Sequence, residues 1–198
     1  MGRIVVMNHL TVDGVMQSPG RPDEDTRDGF TQGGWARLSA TPDNDAGRAM
    51  GARMAAGGGL AGWLFGRRTY EDLLSRWNAE PDSPFGPMLN QAQKYVVSTT
   101  LTEPLPWPNS TLVTGDVAAA VGALKAHTDG VLGIMGSGEL TGSLAAAGLV
   151  DEYLLMIHPM VLGTGRRQFA DGVRTDLRLV ECTPTSGGLL LVVYAPAT

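Results

Sequence analysis

The feature that most narrows what this chain can fold into is an alternation. Short apolar runs at residues 4–10, 60–65, 94–98, 111–114, 131–135 and 151–158 are separated by helix-compatible segments. Two further runs, 177–182 and 189–194, flank the turn Ser186-Gly187-Gly188 near the end of the chain. Alternating strands and helices build a mainly parallel sheet with helices on its faces, and a glycine turn between two runs makes an antiparallel pair. The expectation is one α/β domain over residues 1–198, with a central mixed sheet, mainly parallel, and an antiparallel C-terminal strand pair. The first helix is expected over 43–56. Thr41 or Asp43 caps it, Pro42 sits in its first turn, Asp43 and Asp45 complement its dipole, and Gly57-Gly58-Gly59 stops it. Residues 80–87 read as a turn-rich connection, and Asp116 as the cap of a helix reaching about His127.

Composition excludes several function classes. The chain is 43% hydrophobic and 18% charged, which is globular, and its net charge of −5 argues against nucleic acid or an anionic membrane as the main partner. No apolar run approaches the ~20 residues of a membrane span. One cysteine, Cys182, excludes an internal disulfide, and no Cys/His cluster suggests a metal site, so a cytoplasmic setting is expected. The N-terminus reads as a first strand and not as a signal peptide.

Three turns share one kind of position, the end of an apolar run. They are Gly66-Arg67-Arg68-Thr69, Ser98-Thr99 and Gly136-Ser137-Gly138. In open α/β sheets ligands sit beyond the carboxyl ends of the strands. Glycines let the backbone approach an anion, the first N–H groups of a helix point at it, and arginine contacts phosphate through a planar fork. The agreement in position points to one extended, phosphate-bearing cofactor. The 136–138 turn does not complete the pattern G-x-G-x-x-G, because Leu140 and Thr141 follow. A plain strand-to-helix turn there, and a solvated helix end at Arg67 and Arg68, are the alternatives. Residues 17–42 lack periodicity and carry Phe30 and Trp35 beside Gly33-Gly34. A loop of about 25 residues is long for a connection; a substrate-covering loop and a passive surface excursion are the two readings.

The segments TVDGVMQSPG, GGW, LFGRRTYE, KYVVSTTL, the GSGEL turn with its helix, and VDEYLLMIHPMVLGTGRRQF together resemble the dihydrofolate-reductase-like superfamily. Within it the chain is similar to the reductase domain of the bacterial riboflavin-biosynthesis deaminase-reductase. The resemblance spans almost the whole chain. It implies a three-layer fold, a homodimer through the late strands, and NADPH as cofactor. It places Gly66, Arg67, Arg68 and Thr69 at the diphosphate and 2′-phosphate, Ser98 and Thr99 near the adenosine ribose and its phosphate, and Gly136, Ser137, Gly138 and Glu139 along the diphosphate. Relatives carry a second glycine where Ser137 stands, preceded by a cis peptide; Ser137 departs from that pattern. The zinc deaminase half of the bifunctional enzyme needs several Cys and His, so a stand-alone reductase-type domain is expected.

The substrate side is less well marked. Dihydrofolate reductases hold the pterin with a carboxylate in the middle of the first helix and a nearby Thr; here residues 46–56 hold no Asp or Glu, and Leu155 stands at the Thr position. Candidate catalytic residues are Asp13, Asp45 and His9. Asp13 also fits a turn-forming role in Val12-Asp13-Gly14, and His9 a structural one. Asn8, Met16 and Trp35 are candidates for the substrate wall, with core packing as the alternative, while His127 and His158 read as structural. The expected activity is NADPH-dependent hydride transfer to a small molecule, with one of the 5-amino-6-(5-phosphoribosylamino)uracil type as the candidate substrate. Alternatives are a nucleotide-binding sensor or structural dimer without turnover, and a true dihydrofolate reductase.

Overall fold

The computed structural model describes residues 1–36, 45–169, 172 and 174–197. Its elements run in the order β1 (Arg3–Thr11), α1 (Asp45–Ala56), β2 (Leu60–Gly66), α2 (Arg67–Asn78), α3 (Phe85–Gln91), β3 (Lys94–Val97), β4 (Ser110–Val113), α4 (Val117–Ala126), β5 (Val131–Met135), α5 (Gly138–Ala146), β6 (Glu152–His158), β7 (Leu177–Pro184) and β8 (Leu190–Pro196), with a 3-10 turn at Arg27–Gly29. The strands form an eight-stranded sheet in the order β4-β3-β2-β5-β1-β6-β8-β7. The chain divides into two compact units: Met1–Val5 with Met54–Val150, and Val6–Arg53 with Asp151–Thr198. None of the described helices is long and apolar enough to cross a membrane.

In the first unit β4, β3, β2 and β5 pair in parallel, with Gly66 beside Val97 and Trp63 beside Gly133. β2 and β5 are buried along most of their length, as parallel strands covered on both faces must be. α2 turns Tyr70 and Leu74, one helical turn apart, into the core. The Tyr70 hydroxyl donates to Ser110 Oγ at 3.0 Å. Asp116 caps α4 as expected, its carboxylate accepting from the Ala119 N–H at 2.8 Å.

The connection expected over 80–87 contains a helix, α3. Pro84 is its cap and Pro87 lies in its first turn, where a missing N–H costs nothing. Gly86 is set by packing: a Cβ there would lie 2.6 Å from the Trp77 carbonyl of α2. The end of α3 is closed by Lys94, fully buried, whose Nζ donates to the carbonyls of Leu89 and Ala92, both at 2.6 Å.

In the second unit β8 pairs antiparallel with both β6 and β7. The antiparallel strand is therefore interior to this part of the sheet, between β6 and β7, and β7 forms the edge. α1 ends where Gly59 N–H reaches the Met54 carbonyl at 2.9 Å, with Gly58 and Gly59 at φ 93° and 90°. Ala49 of α1 packs on Met156, Leu189 and Leu191.

Burial lowers the Lys94 ammonium to about 8. In the unfolded chain it titrates at its ordinary, higher value, so between about pH 8 and 10.5 the unfolded chain holds more protons and stability rises with pH through that window. Lys94→Met is expected to flatten that rise, measured as the difference in urea midpoint between pH 8 and pH 10 against the parent; an unchanged slope would contradict a buried, charge-strained lysine.

Candidate functional site

β3, β2 and β5 are parallel neighbours, so their carboxyl ends emerge side by side. This brings together the three turns singled out in the sequence. The β2 and β5 ends are laced to each other through Ser137. The Gly66 N–H donates to Ser137 Oγ at 3.0 Å, the Ser137 hydroxyl donates to the Met135 carbonyl at 3.3 Å, and the Ser137 N–H donates to Thr69 Oγ1 at 3.0 Å. Gly136 and Ser137 both adopt left-handed backbone, at φ 60° and φ 51°. A Cβ on Gly136 would sit 3.1 Å from the Thr69 side chain. Among the described residues the one cis peptide is Glu103–Pro104, so the 136–137 bond is trans and the cis geometry implied by the resemblance is not used. With serine in place of a second glycine, the turn is made by two successive left-handed residues.

Neither α2, capped by Gly66, nor α5, capped by Ser137, has a side-chain cap on its first N–H groups. Uncapped helix N-termini carry partial positive charge and unmet donors. Two arginines stand beside them. Arg67 pairs with Glu71 at 3.0 Å, and Arg68 reaches Glu139 at 3.5 Å. The Arg68 and Glu139 side chains are 57% and 75% exposed, and pairs that open to water are worth little. A phosphate can displace such a carboxylate. Ser98 is buried, and its Oγ accepts from the Thr100 and Leu101 N–H groups at 3.1 Å each, which shapes the turn after β3; Thr99 is exposed.

The second unit holds the other candidates. Asp13 is a clamp. Its carboxylate accepts from the Thr11 hydroxyl at 2.6 Å, the Gly163 N–H at 2.8 Å and the Leu162 N–H at 3.2 Å. These bonds, led by that from Thr11, hold its carboxyl below the usual range. Arg167 Nε donates to the Asp13 carbonyl, and Arg166 pairs with Asp28, so both arginines of the 163–167 turn are engaged by the loop that follows β1. Gly165 allows a close approach there: a Cβ would lie 2.8 Å from Phe30 and Val15.

Gln17, which the sequence reading passed over, organises the same loop. Its side chain donates to the carbonyls of Asp25 and Arg27 and accepts from the Arg166 N–H, and its carbonyl takes the Trp35 indole N–H at 2.8 Å. Trp35 and Phe30 are buried, so this part of the loop folds around its own polar centre. Met16 is half-buried and its N–H donates to the Arg166 carbonyl. Asn8 is buried and donates to Gln168 Oε1 at 2.6 Å. His9, the next residue along β1, points to the opposite face and meets His158, with Nδ1 2.8 Å from Nε2. The Trp35 ring stands edge-on to His158, at 5.2 Å between centroids. Burial lowers both imidazoles to about 4, His158 adding to the shift at His9. His158 does end its strand, as expected. Its partner was invisible because the contact depends on β6 lying beside β1. Asp45 opens α1 with its side chain outside the described residues, and Asp43 lies outside them altogether.

The sequence matches the family model of the RibD C-terminal domain over residues 3–191. It is 31% identical over 138 residues to the uncharacterized protein YyaP of Bacillus subtilis, covering 66% of this chain and 71% of that protein. Among solved structures, a candidate riboflavin biosynthesis protein from Shewanella sp. PV-4 superposes with a TM-score of 0.73 at 20% identity, covering 99% of each chain. Dihydrofolate reductase from Enterococcus faecalis, solved with NADP(H), gives 0.61 at 13% identity over 99% of this chain and 97% of that one. The dihydrofolate-reductase-like fold expected from the sequence is the fold observed.

Because the Asp13 carboxyl is lowered by folding, the stability it contributes is present above the ordinary Asp range and is lost as pH falls through the lowered value. Asp13→Asn is expected to lower the thermal midpoint at pH 7 and to lose less stability than the parent on acidification below about pH 4. Equal stability of variant and parent at pH 7 would show that the clamp contributes nothing.

Proposed function

This chain belongs to the RibD C-terminal domain family, and we propose that it is an NADPH-dependent reductase that passes hydride to a small molecule. The observation that carries this reading is the set of three adjacent strand ends bearing two uncapped helix N-termini and two weakly paired arginines. This donor set fits a phosphate-bearing dinucleotide. Backbone N–H groups at Arg67–Thr69 and Gly138–Glu139 suit the diphosphate, and the Arg67 and Arg68 side chains suit a 2′-phosphate. The Glu139 side chain already sits against Arg68, so its contribution to the diphosphate is through its backbone N–H. The Ser137 and Thr69 hydroxyls hold the two turns in register. Ser98 shapes its turn and Thr99 is the exposed hydroxyl beside it. When bound, the cofactor supplies the hydride; this chain's task is to align it and to polarise the acceptor.

For the substrate we infer a ring or carbonyl-type molecule, with 5-amino-6-(5-phosphoribosylamino)uracil as the first compound to try. Dihydrofolate fits less well, because residues 46–56 offer no carboxylate to the pterin N–H groups and each unmatched buried group costs roughly 1–3 kcal/mol. A nucleotide-binding protein without turnover is the second reading. It is favoured by the commitment of the Asp13 carboxylate to loop closure and by the neutrality of both histidines. A homodimer through the late strands belongs to the first reading. β7 lies at the sheet edge with Leu179 and Val180 exposed.

Tryptophan fluorescence titrated with NADPH and NADH tests the cofactor assignment, and absence of a saturable NADPH response would sink it. Arg67→Ala and Arg68→Ala are expected to weaken NADPH by about tenfold each while leaving NADH nearly unchanged, the scale of one charge-assisted hydrogen bond. Equal losses for the two dinucleotides would remove the 2′-phosphate role. NADPH oxidation with the ribosylaminopyrimidine then separates reductase from sensor.

A further inference from the structure

The donors at the joined ends of β2 and β5 already have acceptors within the chain, and these acceptors differ in how easily an anion could replace them. Glu71 and Glu139 hold Arg67 and Arg68 through carboxylates that are 41% and 75% exposed, and such pairs give way to a phosphate. Ser137 Oγ is different. It is half-buried and tied at both ends, accepting from the Gly66 N–H at 3.0 Å and donating to the Met135 carbonyl at 3.3 Å. The Ser137 N–H donates in turn to Thr69 Oγ1 at 3.0 Å. Gly66 caps α2 and Ser137 caps α5, so a single hydrogen bond joins the two caps directly.

A serine hydroxyl has one hydrogen and two lone pairs. With the hydrogen committed to Met135 and one lone pair to Gly66, what remains is a lone pair, which an anion avoids. Nor does the residue swing aside freely. Its backbone is left-handed, at φ 51° and ψ 44°, which is uncommon for a residue with a Cβ and persists only where the surroundings fix it. The three hydrogen bonds are what fix it. Gly66 is under no such constraint. Its φ of −76° and ψ of 156° suit any residue, and a Cβ there would lie 3.8 Å from Ser137 Oγ, an ordinary contact. Space does not require glycine at 66. Its lack of a side chain leaves the first N–H groups of α2 without a cap of their own.

Resting on the reading of these strand ends as a phosphate site, we propose that Ser137 is a specificity-determining residue that acts by position. Its Oγ takes the place of one phosphate oxygen at the Gly66 N–H, so a lone phosphate finds no seat in the junction. Anions are held instead by the first turns of α2 and α5 on either side of it, and the bond between the caps keeps those two turns at a fixed spacing. The ligand class this selects is a diphosphate, one phosphate to each helix N-terminus, over orthophosphate or a monophosphate ester. Ser137 touches no ligand; it fills one donor and sets the places of the others.

The test is amide 15N NMR of the full chain titrated with pyrophosphate and with orthophosphate. In the parent, pyrophosphate is expected to shift the Arg68, Thr69 and Glu139 amides while the Gly66 amide stays in place and exchanges slowly. Orthophosphate is expected to bind at least about tenfold more weakly, the scale of one charge-assisted hydrogen bond. Ser137→Ala keeps the Cβ and removes only the hydroxyl. It is expected to free the Gly66 amide, which then exchanges faster and shifts with orthophosphate, and to shrink the preference for pyrophosphate by about tenfold. Such a gain of orthophosphate binding is not produced by loss of stability. Ser137→Gly, which also relieves the left-handed backbone, is expected to do the same. A Gly66 amide that moves with orthophosphate in the parent, or an unchanged preference in both variants, overturns the role of Ser137 and leaves the phosphate site standing. If pyrophosphate moves none of these amides in any of the proteins, the phosphate site and the proposal both fall.

Discussion

Parallel pairing of β3, β2 and β5 is the constraint on which the candidate cofactor site depends. Parallel strands point their carboxyl ends the same way, and the helices that follow β2 and β5 present their N-termini there. The site is thus a consequence of topology before any side chain is chosen. The sequence refines it by leaving the helix caps open at Gly66 and Ser137, and by using one serine hydroxyl to tie the two turns together. Arg67 and Arg68 add charge where the backbone has already supplied donors. Their carboxylate partners are open to water, so both pairs are weak and exchangeable.

The second unit works by the opposite electrostatic logic. Several of its polar groups are paired with one another: Asn8 with Gln168, Asp13 with the Leu162 and Gly163 N–H groups, Gln17 with three backbone groups, Arg53 with Glu152. Such networks specify one arrangement because breaking any member leaves a desolvated group unpaired. The histidine pair belongs to this set, His9 Nδ1 lying 2.8 Å from His158 Nε2.

Much of the fold was legible because burial leaves a local trace. Continuous apolar runs marked β2, β5 and β6, and the glycines after α1 marked its end. α3 was hidden because Pro84, Gly86 and Pro87 read as turn residues; the prolines are harmless at a helix start, and the glycine is required by contact with Trp77. The placement of β8 between β6 and β7 is a long-range choice with no local signature. The same applies to the site. Gly66–Thr69 and Gly136–Glu139 were legible as strand ends followed by helices. Lys94, Gln17 and the partnership of His9 with His158 each depend on a neighbour distant in sequence, so the residue alone could not announce the role.

The central claim is that the ends of β2, β3 and β5 hold the phosphates of NADPH. The most direct measurement is amide hydrogen exchange across the chain with and without saturating NADPH. Slowed exchange is predicted in peptides covering residues 65–70, 98–101 and 135–140, with NADH protecting 65–70 less than NADPH does. Protection confined to the second unit, or identical patterns for the two dinucleotides, would contradict it.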